Sequence, residues 1–256
     1  MADKQSTNKP KKETFIVIMP VYNEEGCIEE VGRSWHNLVK GYPGSEILLV
    51  NDGSRDKTKE KLDKLASEYK EIKVLHKKNE GYGATVIRGF EMSLKSHHDW
   101  IFQTDSDNQE SPDDFHKLWD SRSKSDFIIG YRHKRQDYMH RMILTNAIIV
   151  FNTILFGVFI KDSNVPYRLI RKPYLKKLLS VLPRNLYAPN IFFTILAVKD
   201  SKDIMHIPIS HSRRKTGEVS IVKLKLIKVC MMGFKDLLLF RLRLASMMKN
   251  LKKYKQ

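Results

Sequence analysis

Short apolar runs separated by longer stretches of helical period set the pattern of the first half of the chain. Phe15-Ile16-Val17-Ile18-Met19, Glu46-Ile47-Leu48-Leu49-Val50, Ile72-Lys73-Val74-Leu75 and Asp99 to Gln103 read as four strands, the first stopped by Pro20. Between them lie three predicted helices. One starts at Tyr22-Asn23-Glu24-Glu25 and reaches about Val39, with acids suited to a first turn. The second follows Asp56-Lys57-Thr58 through about Tyr69, and the third runs from Gly83 to about Lys95. Phe127 to Gly130 is a fifth strand and Asp203 to Ile209 a later one. Strands alternating with helices argue for a parallel sheet of right-handed βαβ units, whose ligands bind beyond the strands' carboxyl ends. Asn51-Asp52-Gly53-Ser54 and Asp105-Ser106-Asp107 both fall there, so two acidic loops are expected to face one crevice.

Two segments depart from this alternation. Met142 to Ile160 contains nineteen residues without a charge, but Thr145, Asn146, Asn152, Thr153 and Gly157 dilute it. A buried or interfacial helix is therefore expected there in preference to a bilayer span. From Ile221 to Leu251 basic and apolar residues interleave. That pattern suits either a helix lying on an anionic surface or a core-facing amphipathic helix with a solvated Lys/Arg face. The predicted organisation is a disordered basic tail over 1–13, one α/β domain over 14–220 and a basic amphipathic helical segment over 221–256.

Charge narrows the choice of partner. The 256 residues carry a formal net charge of +17, which points to an anionic partner: nucleic acid, a phospholipid surface or a phosphorylated substrate. No helix-turn-helix, RNP or zinc-finger sequence accompanies the charge, and much of it lies among apolar residues suited to a membrane, so no nucleic-acid partner is expected. Two distant cysteines, Cys27 and Cys230, offer neither a disulfide framework nor a zinc spacing. The first twelve residues lack the apolar core of a signal peptide.

The candidate chemistry sits at the end of the fourth strand. In Thr104-Asp105-Ser106-Asp107-Asn108-Gln109 an extended chain sends Asp105, Asp107 and Gln109 to one side, where three oxygen ligands can hold a divalent cation. The plain alternative is a solvated acidic turn before Pro112. Asp52 is placed to accept hydrogen bonds from a base or ribose, and equally to close an Asx-turn with Gly53 and Ser54. Gly81-Tyr82-Gly83 permits a tight turn and close helix packing and reads as structure; its glycine spacing is not that of a dinucleotide site.

Taken in order, Pro20-Val21-Tyr22-Asn23-Glu24-Glu25, Val50-Asn51-Asp52-Gly53-Ser54-Arg55-Asp56-Lys57-Thr58, Asn79-Glu80-Gly81-Tyr82-Gly83 and Thr104 to Gln109 resemble the family 2 glycosyltransferases of the GT-A fold. The chain is most similar to their polyprenyl-phosphate, dolichyl-phosphate mannosyltransferase-like branch, over roughly residues 14 to 245. The resemblance implies an α/β, Rossmann-like single domain with a mostly parallel central sheet, plus amphipathic helices at a membrane interface. It implies Mg²⁺ or Mn²⁺ at Asp105, Asp107 and Gln109, and donor contacts from Pro20, Tyr22, Glu24, Asp52 and Arg168. Asp107, Arg132, Arg141 and Arg214 take the catalytic positions. Thr145 matches the acceptor helix, and Asp162, Asn164, Pro166 and Tyr167 match the loop leading to Arg168.

Two departures from the family pattern stand out: Asn51 replaces a frequent second acid, and Arg214-Lys215-Thr216-Gly217 is followed by Ser220 one residue later than usual. The implied reaction moves a hexose from a UDP- or GDP-sugar to a polyprenyl phosphate with inversion, at the cytoplasmic face of a membrane. A lipid phosphate is already ionised near neutral pH, with a second pKa of about 6, so it needs no catalytic base. The alternative is transfer to a glycan hydroxyl, with His133 and Asp137 as candidate bases. A non-catalytic scaffold is disfavoured by the presence of both Asp105 and Asp107.

Overall fold

The computed structural model describes residues 12–132, 139–200, 203–212 and 223–254, those of 139–147 and 223–230 by backbone alone. Seven strands form one sheet: β1 (Phe15–Val21), β2 (Glu46–Asn51), β3 (Ile72–His76), β4 (Trp100–Gln103), β5 (Phe127–Arg132), β6 (Arg168–Arg171) and β7 (Met205–Ile209). Their order across the sheet is β3-β2-β1-β4-β6-β5-β7. All neighbours pair in parallel except β6, which is antiparallel to β4 and to β5. The mostly parallel α/β architecture read from the sequence is the one observed.

The central strand β1 is buried at all seven positions because helices cover both faces of the sheet. On one face lie α1 (Ile28–Lys40) and α4 (Phe115–Asp120): Trp35 meets Phe102 at 5.3 Å between ring centres, and Phe15 meets Phe115 at 4.5 Å. On the other lies α3 (Tyr82–Leu94), where Gly89 brings the helix against Ile18 and Val50. Phe90 packs on Phe193 of α7 (Pro189–Asp200), at 5.0 Å. Alternate residues of β1 thus feed two separate cores, as the period of an extended chain requires. The remaining helices are α2 (Thr58–Glu68), α5 (Met139–Phe156), α6 (Lys172–Leu179) and α8 (Lys223–Lys253).

Three expectations are corrected by the structure. Pro20 does not stop β1, which continues to Val21 in register with Asn51. Pro20 lies on the same side of the strand as Ile18, facing β4, whose ladder has already ended at Gln103; its missing N–H therefore removes no sheet bond. The first helix starts at Ile28, not Tyr22. The backbone N–H groups of Asn23, Glu24 and Glu25 instead donate to Ser54 Oγ (3.0 Å), Thr58 Oγ1 (2.8 Å) and Asp56 Oδ2 (3.2 Å). Asn23 also takes a positive φ of 52°, which ends any helical run. Finally, Arg168 begins the unforeseen strand β6, a four-residue segment that slots between β4 and β5.

The two segments that broke the alternation lie together. Helix α5 ends at Gly157, in the left-handed region at φ 61°. Its Asn152 is buried against Ser163 Oγ (3.0 Å), whereas Ile154 is 73% exposed. Along α8, Leu237, Phe240, Leu244, Met247 and Leu251 are buried, with Phe240 against Phe192 and Phe156. Met231, Met232, Phe234, Leu238, Leu239 and Leu242 of the same helix stay exposed, Leu242 to 80%. The core-facing reading holds for one face of this helix, and the opposite face keeps its apolar side chains exposed. Among the described residues no helix is long and apolar enough to cross a membrane.

Candidate active site

The carboxyl ends of β1, β2 and β4 carry three loops that are tied to one another by side chains. Ser106 Oγ donates to the Pro20 carbonyl (2.9 Å), joining the β4 loop to the β1 loop. Cys27, free and buried, places Sγ 3.4 Å from both Glu24 Oε2 and the Ser106 carbonyl. Asn23 Oδ1 accepts from the Arg55 N–H (2.8 Å), joining the β1 loop to the β2 loop. Tyr22 stands exposed at this rim, while Pro20 and Glu24 are buried behind it.

Asp52 is a fully occupied carboxylate. Lys77 Nζ donates to Oδ1, as does the Glu80 N–H (2.9 Å), and the Gly81 N–H donates to Oδ2 (2.9 Å). Asn79 Nδ2 reaches the Asp52 carbonyl at 2.8 Å, so this single residue shapes the whole 77–81 turn. The turn closed by a side chain of the Asn-Asp-Gly-Ser sequence belongs to the neighbouring residue: Asn51 Oδ1 accepts from Ser54 N–H (3.1 Å) and Ser54 Oγ (2.6 Å). Asn51 Nδ2 meets His76 Nδ1 (3.0 Å), whose Nε2 meets Asp63 Oδ1 (2.8 Å). With Asn51 Oδ1 already accepting, its amide nitrogen donates to His76, which fixes the imidazole as the neutral Nε2–H tautomer donating to Asp63. A relay of side chains thus runs from α2 to the Asn23 turn.

The β4 loop is the opposite case. Asp105, Asp107 and the buried Glu110 act on one another electrostatically, and few donors compensate them. Burial, then the charge of Asp107, push the Asp105 carboxyl up to about 7, against the opposing effects of Tyr82 and Arg132. Burial and the same two aspartates raise Glu110 well above the usual carboxylate range. Asp107 Oδ1 accepts from the Gln109 N–H (3.2 Å). The Gln109 side chain is turned away from the expected ligand position, its Nε2 donating to the Ser212 carbonyl (3.1 Å), and the Gln109 backbone carbonyl accepts from the Ser212 N–H (2.9 Å). Gln109 therefore pins this loop to the chain beyond β7. The acids brought together are Asp105, Asp107 and Glu110; the last was not foreseen, although its position three residues after Asp107 was a visible hint.

At the end of β5, Arg132 forms a two-pronged pair with Asp162, Nε to Oδ2 at 2.7 Å and Nη2 to Oδ1 at 3.0 Å. Its charge is felt by both Asp105 and Glu110. Arg168 is not on the crevice wall. It is fully buried beneath it, with Nη1 donating to the Asn190 carbonyl (3.0 Å) and Nη2 to the Val165 carbonyl, and burial lowers it to about 10. It stays charged at neutral pH as an internal anchor and not as the expected donor contact, because the antiparallel insertion of β6 turns this side chain inward. Arg141 and Thr145 lie on the backbone of α5, and their side chains are outside the described residues, as are His133, Asp137, Arg214 and Ser220.

Residues 16–181 match the model of the glycosyl transferase family 2. The chain belongs to this family. As a family 2 glycosyltransferase it is 29% identical over 222 residues to the polyprenol monophosphomannose synthase of Mycolicibacterium smegmatis, covering 83% of this chain and 82% of that one. It is 27% identical over 210 residues to the undecaprenyl-phosphate mannosyltransferase of Micrococcus luteus, covering 79% and 85%. The undecaprenyl-phosphate 4-deoxy-4-formamido-L-arabinose transferase of Pseudomonas fluorescens is 28% identical over 217 residues, and the match spans 62% of that longer protein. These relatives support the polyprenyl-phosphate branch of the family. The GT-A fold is shared with the glucosyl-3-phosphoglycerate synthase of Mycobacterium tuberculosis, solved with Mn²⁺, UDP-glucose and phosphoglyceric acid: TM-score 0.68, 17% identity, 90% of this chain and 80% of that one.

Proposed function

We propose that this glycosyltransferase moves a hexose from a nucleoside-diphosphate sugar to a polyprenyl phosphate, with inversion and with Mg²⁺ or Mn²⁺. The observation that carries the reading is the cluster of mutually repelling acids at the end of β4, the half-buried Asp105 and Asp107 and the buried Glu110, beside the Arg132–Asp162 pair. Such a cluster is costly to ionise without a counter-charge, and that fits a resident cation. Among the described residues no three His, Cys, Asp or Glu side chains are arranged as a complete metal cage. That suits a hard cation held by Asp105 and Asp107 and completed by the donor's phosphate oxygens. When bound, the ion supplies neutralisation of the departing nucleoside diphosphate.

The chain's own residues do the rest by positioning. Pro20, Tyr22, Glu24 and the Asp52-shaped turn form the cradle for the nucleotide, UDP or GDP. Asp162 holds the Arg132 guanidinium in one plane beside the acids, where a phosphate anion can be oriented without free rotation of the side chain. Arg141 and Arg214 are the further cations assigned to the two anionic substrates. Because the acceptor oxygen is already ionised, attraction and alignment of two anions is the main task, and a general base is not required.

The exposed apolar residues Phe151, Ile154, Met231, Phe234 and Leu242 lie among Lys235, Arg241 and Arg243. This composition fits peripheral attachment to an anionic membrane surface, where a polyprenyl phosphate is found, on its cytoplasmic face. The test is direct. Purified protein is incubated with labelled UDP- and GDP-hexoses, Mn²⁺ and a polyprenyl phosphate in anionic vesicles. A labelled organic-phase product is expected for one donor; failure of every UDP- and GDP-hexose to label the lipid refutes the reading.

A further inference from the structure

We propose that the Tyr82 hydroxyl is a positioning group for Asp105, holding one carboxylate oxygen so that the other is presented to the cation. The inference rests on the reading of Asp105 as a cation ligand. It begins with hydrogen-bond polarity. Tyr82 Oη lies 3.0 Å from Asp105 Oδ1, 3.0 Å from Asn190 Nδ2 and 3.4 Å from Gln103 Nε2. A phenol has one proton and two lone pairs. Both amide nitrogens are donors and occupy the lone pairs, so the single proton is directed at Asp105. The described residues give Asp105 Oδ2 no hydrogen-bond partner, which leaves that oxygen for a cation.

The surroundings make this geometry stiff. Asn190 is fully buried on α7, and its carbonyl is gripped by the buried Arg168 guanidinium at 3.0 Å. Gln103 is fully buried at the end of β4, two residues before Asp105. The two glycines that flank Tyr82 have reasons to be glycine that concern its placement. Gly81 sits at φ 90°, and a Cβ on Gly83 would come within 1.9 Å of the Leu186 carbonyl. Gly83 is what lets the first turn of α3 approach the 186–187 backbone, whereas Gly81 is called for by its positive φ, the space around it being open. The ring of Tyr82 is 38% exposed at the crevice while its hydroxyl points inward. A side chain present only to fill the core would not be aimed in this way. Groups that orient a metal-binding carboxylate typically change metal affinity 10–100-fold when removed.

The experiment uses full-length Tyr82→Phe, which keeps the ring and deletes only the oxygen. Mn²⁺ binding in the presence of GDP, and of UDP in a parallel series, is measured from the free-ion EPR signal. About tenfold weaker Mn²⁺ binding is expected, with metal-free nucleotide affinity unchanged, and with transfer restored at raised Mn²⁺. Asn190→Ala is expected to weaken Mn²⁺ binding in the same direction through loss of one support of the hydroxyl. Wild-type Mn²⁺ affinity in Tyr82→Phe overturns the proposal while leaving the metal site standing. Absence of Mn²⁺ binding in the wild-type protein itself overturns the site reading, and the proposal with it.

Discussion

Asp52 and Asp105 occupy equivalent places, each just past the carboxyl end of a parallel strand. Asp52 is satisfied: an ammonium and two backbone N–H groups surround its carboxylate, and the loop is complete without any ligand. Asp105 has one neutral donor and faces two more acids. A satisfied carboxylate builds structure, whereas carboxylates set close together repel one another, and a cation relieves that repulsion. On the proposed reading, the contrast separates a wall of the crevice from its chemical centre.

The comparison breaks most visibly at Asp107. Asp107→Ala is expected to lower transfer on the order of 10³-fold without lowering the melting temperature, since it removes a repelling charge. Undiminished turnover in that variant would move the metal site elsewhere. Asp52→Ala is expected to do the reverse, costing about 3 kcal/mol of stability by leaving the Lys77 ammonium and two N–H groups without their partner. Urea unfolding measures it, and a loss below about 0.5 kcal/mol would show that Asp52 is not the organiser of its loop.

The pH dependence sharpens the contrast further. Asp105 has a folded pKa of about 7, above the ordinary value of 3.8, so the folded state binds more protons than the unfolded one between these values. Metal-free stability conferred by this group is full below about pH 4 and falls as pH rises through 7. Mn²⁺ removes the penalty on ionisation, so the rise in melting temperature on adding Mn²⁺ is expected to be larger at pH 7.5 than at pH 5.5. An equal rise at both would contradict the cluster's role. The smallest effect is expected at the relay. His76→Ala should cost about 1 kcal/mol and raise the donor KM with kcat little changed, and His76→Asn, which keeps an acceptor for Asn51, should restore the KM.

Much of the scaffold was legible because its signals are local. Runs such as Phe15 to Met19 and Glu46 to Val50 are too short and too apolar for anything but buried strands, and their alternation with helical periods specified a parallel sheet. The Asp-x-Asp sequence marked a candidate site in the same local way. Strand β6 was not legible, since Arg168-Leu169-Ile170-Arg171 has charged ends and only two apolar residues. Its pairing partners are some 40 to 70 residues away, and only they make it a strand. The same long-range closure turned Arg168 from an expected donor contact into an internal anchor. The Tyr22–Cys27 segment misled for a related reason: its acids favour a helix start, but side chains of the β2–α2 loop take the N–H groups instead.

Within the candidate site the division is similar. Asp105 and Asp107 could be named from spacing, while Tyr82, Glu110 and the Arg132–Asp162 pair depend on which residues meet across the sheet. The sequence by itself determined the strands, the order of the motif loops along the chain and the acids at the tip of β4, because backbone periodicity and turn chemistry act over a few residues. Only the tertiary structure decided which carboxylate is neutralised and which is left in repulsion. Burial and the distance between charges set that outcome, and both arise from packing segments remote in the chain.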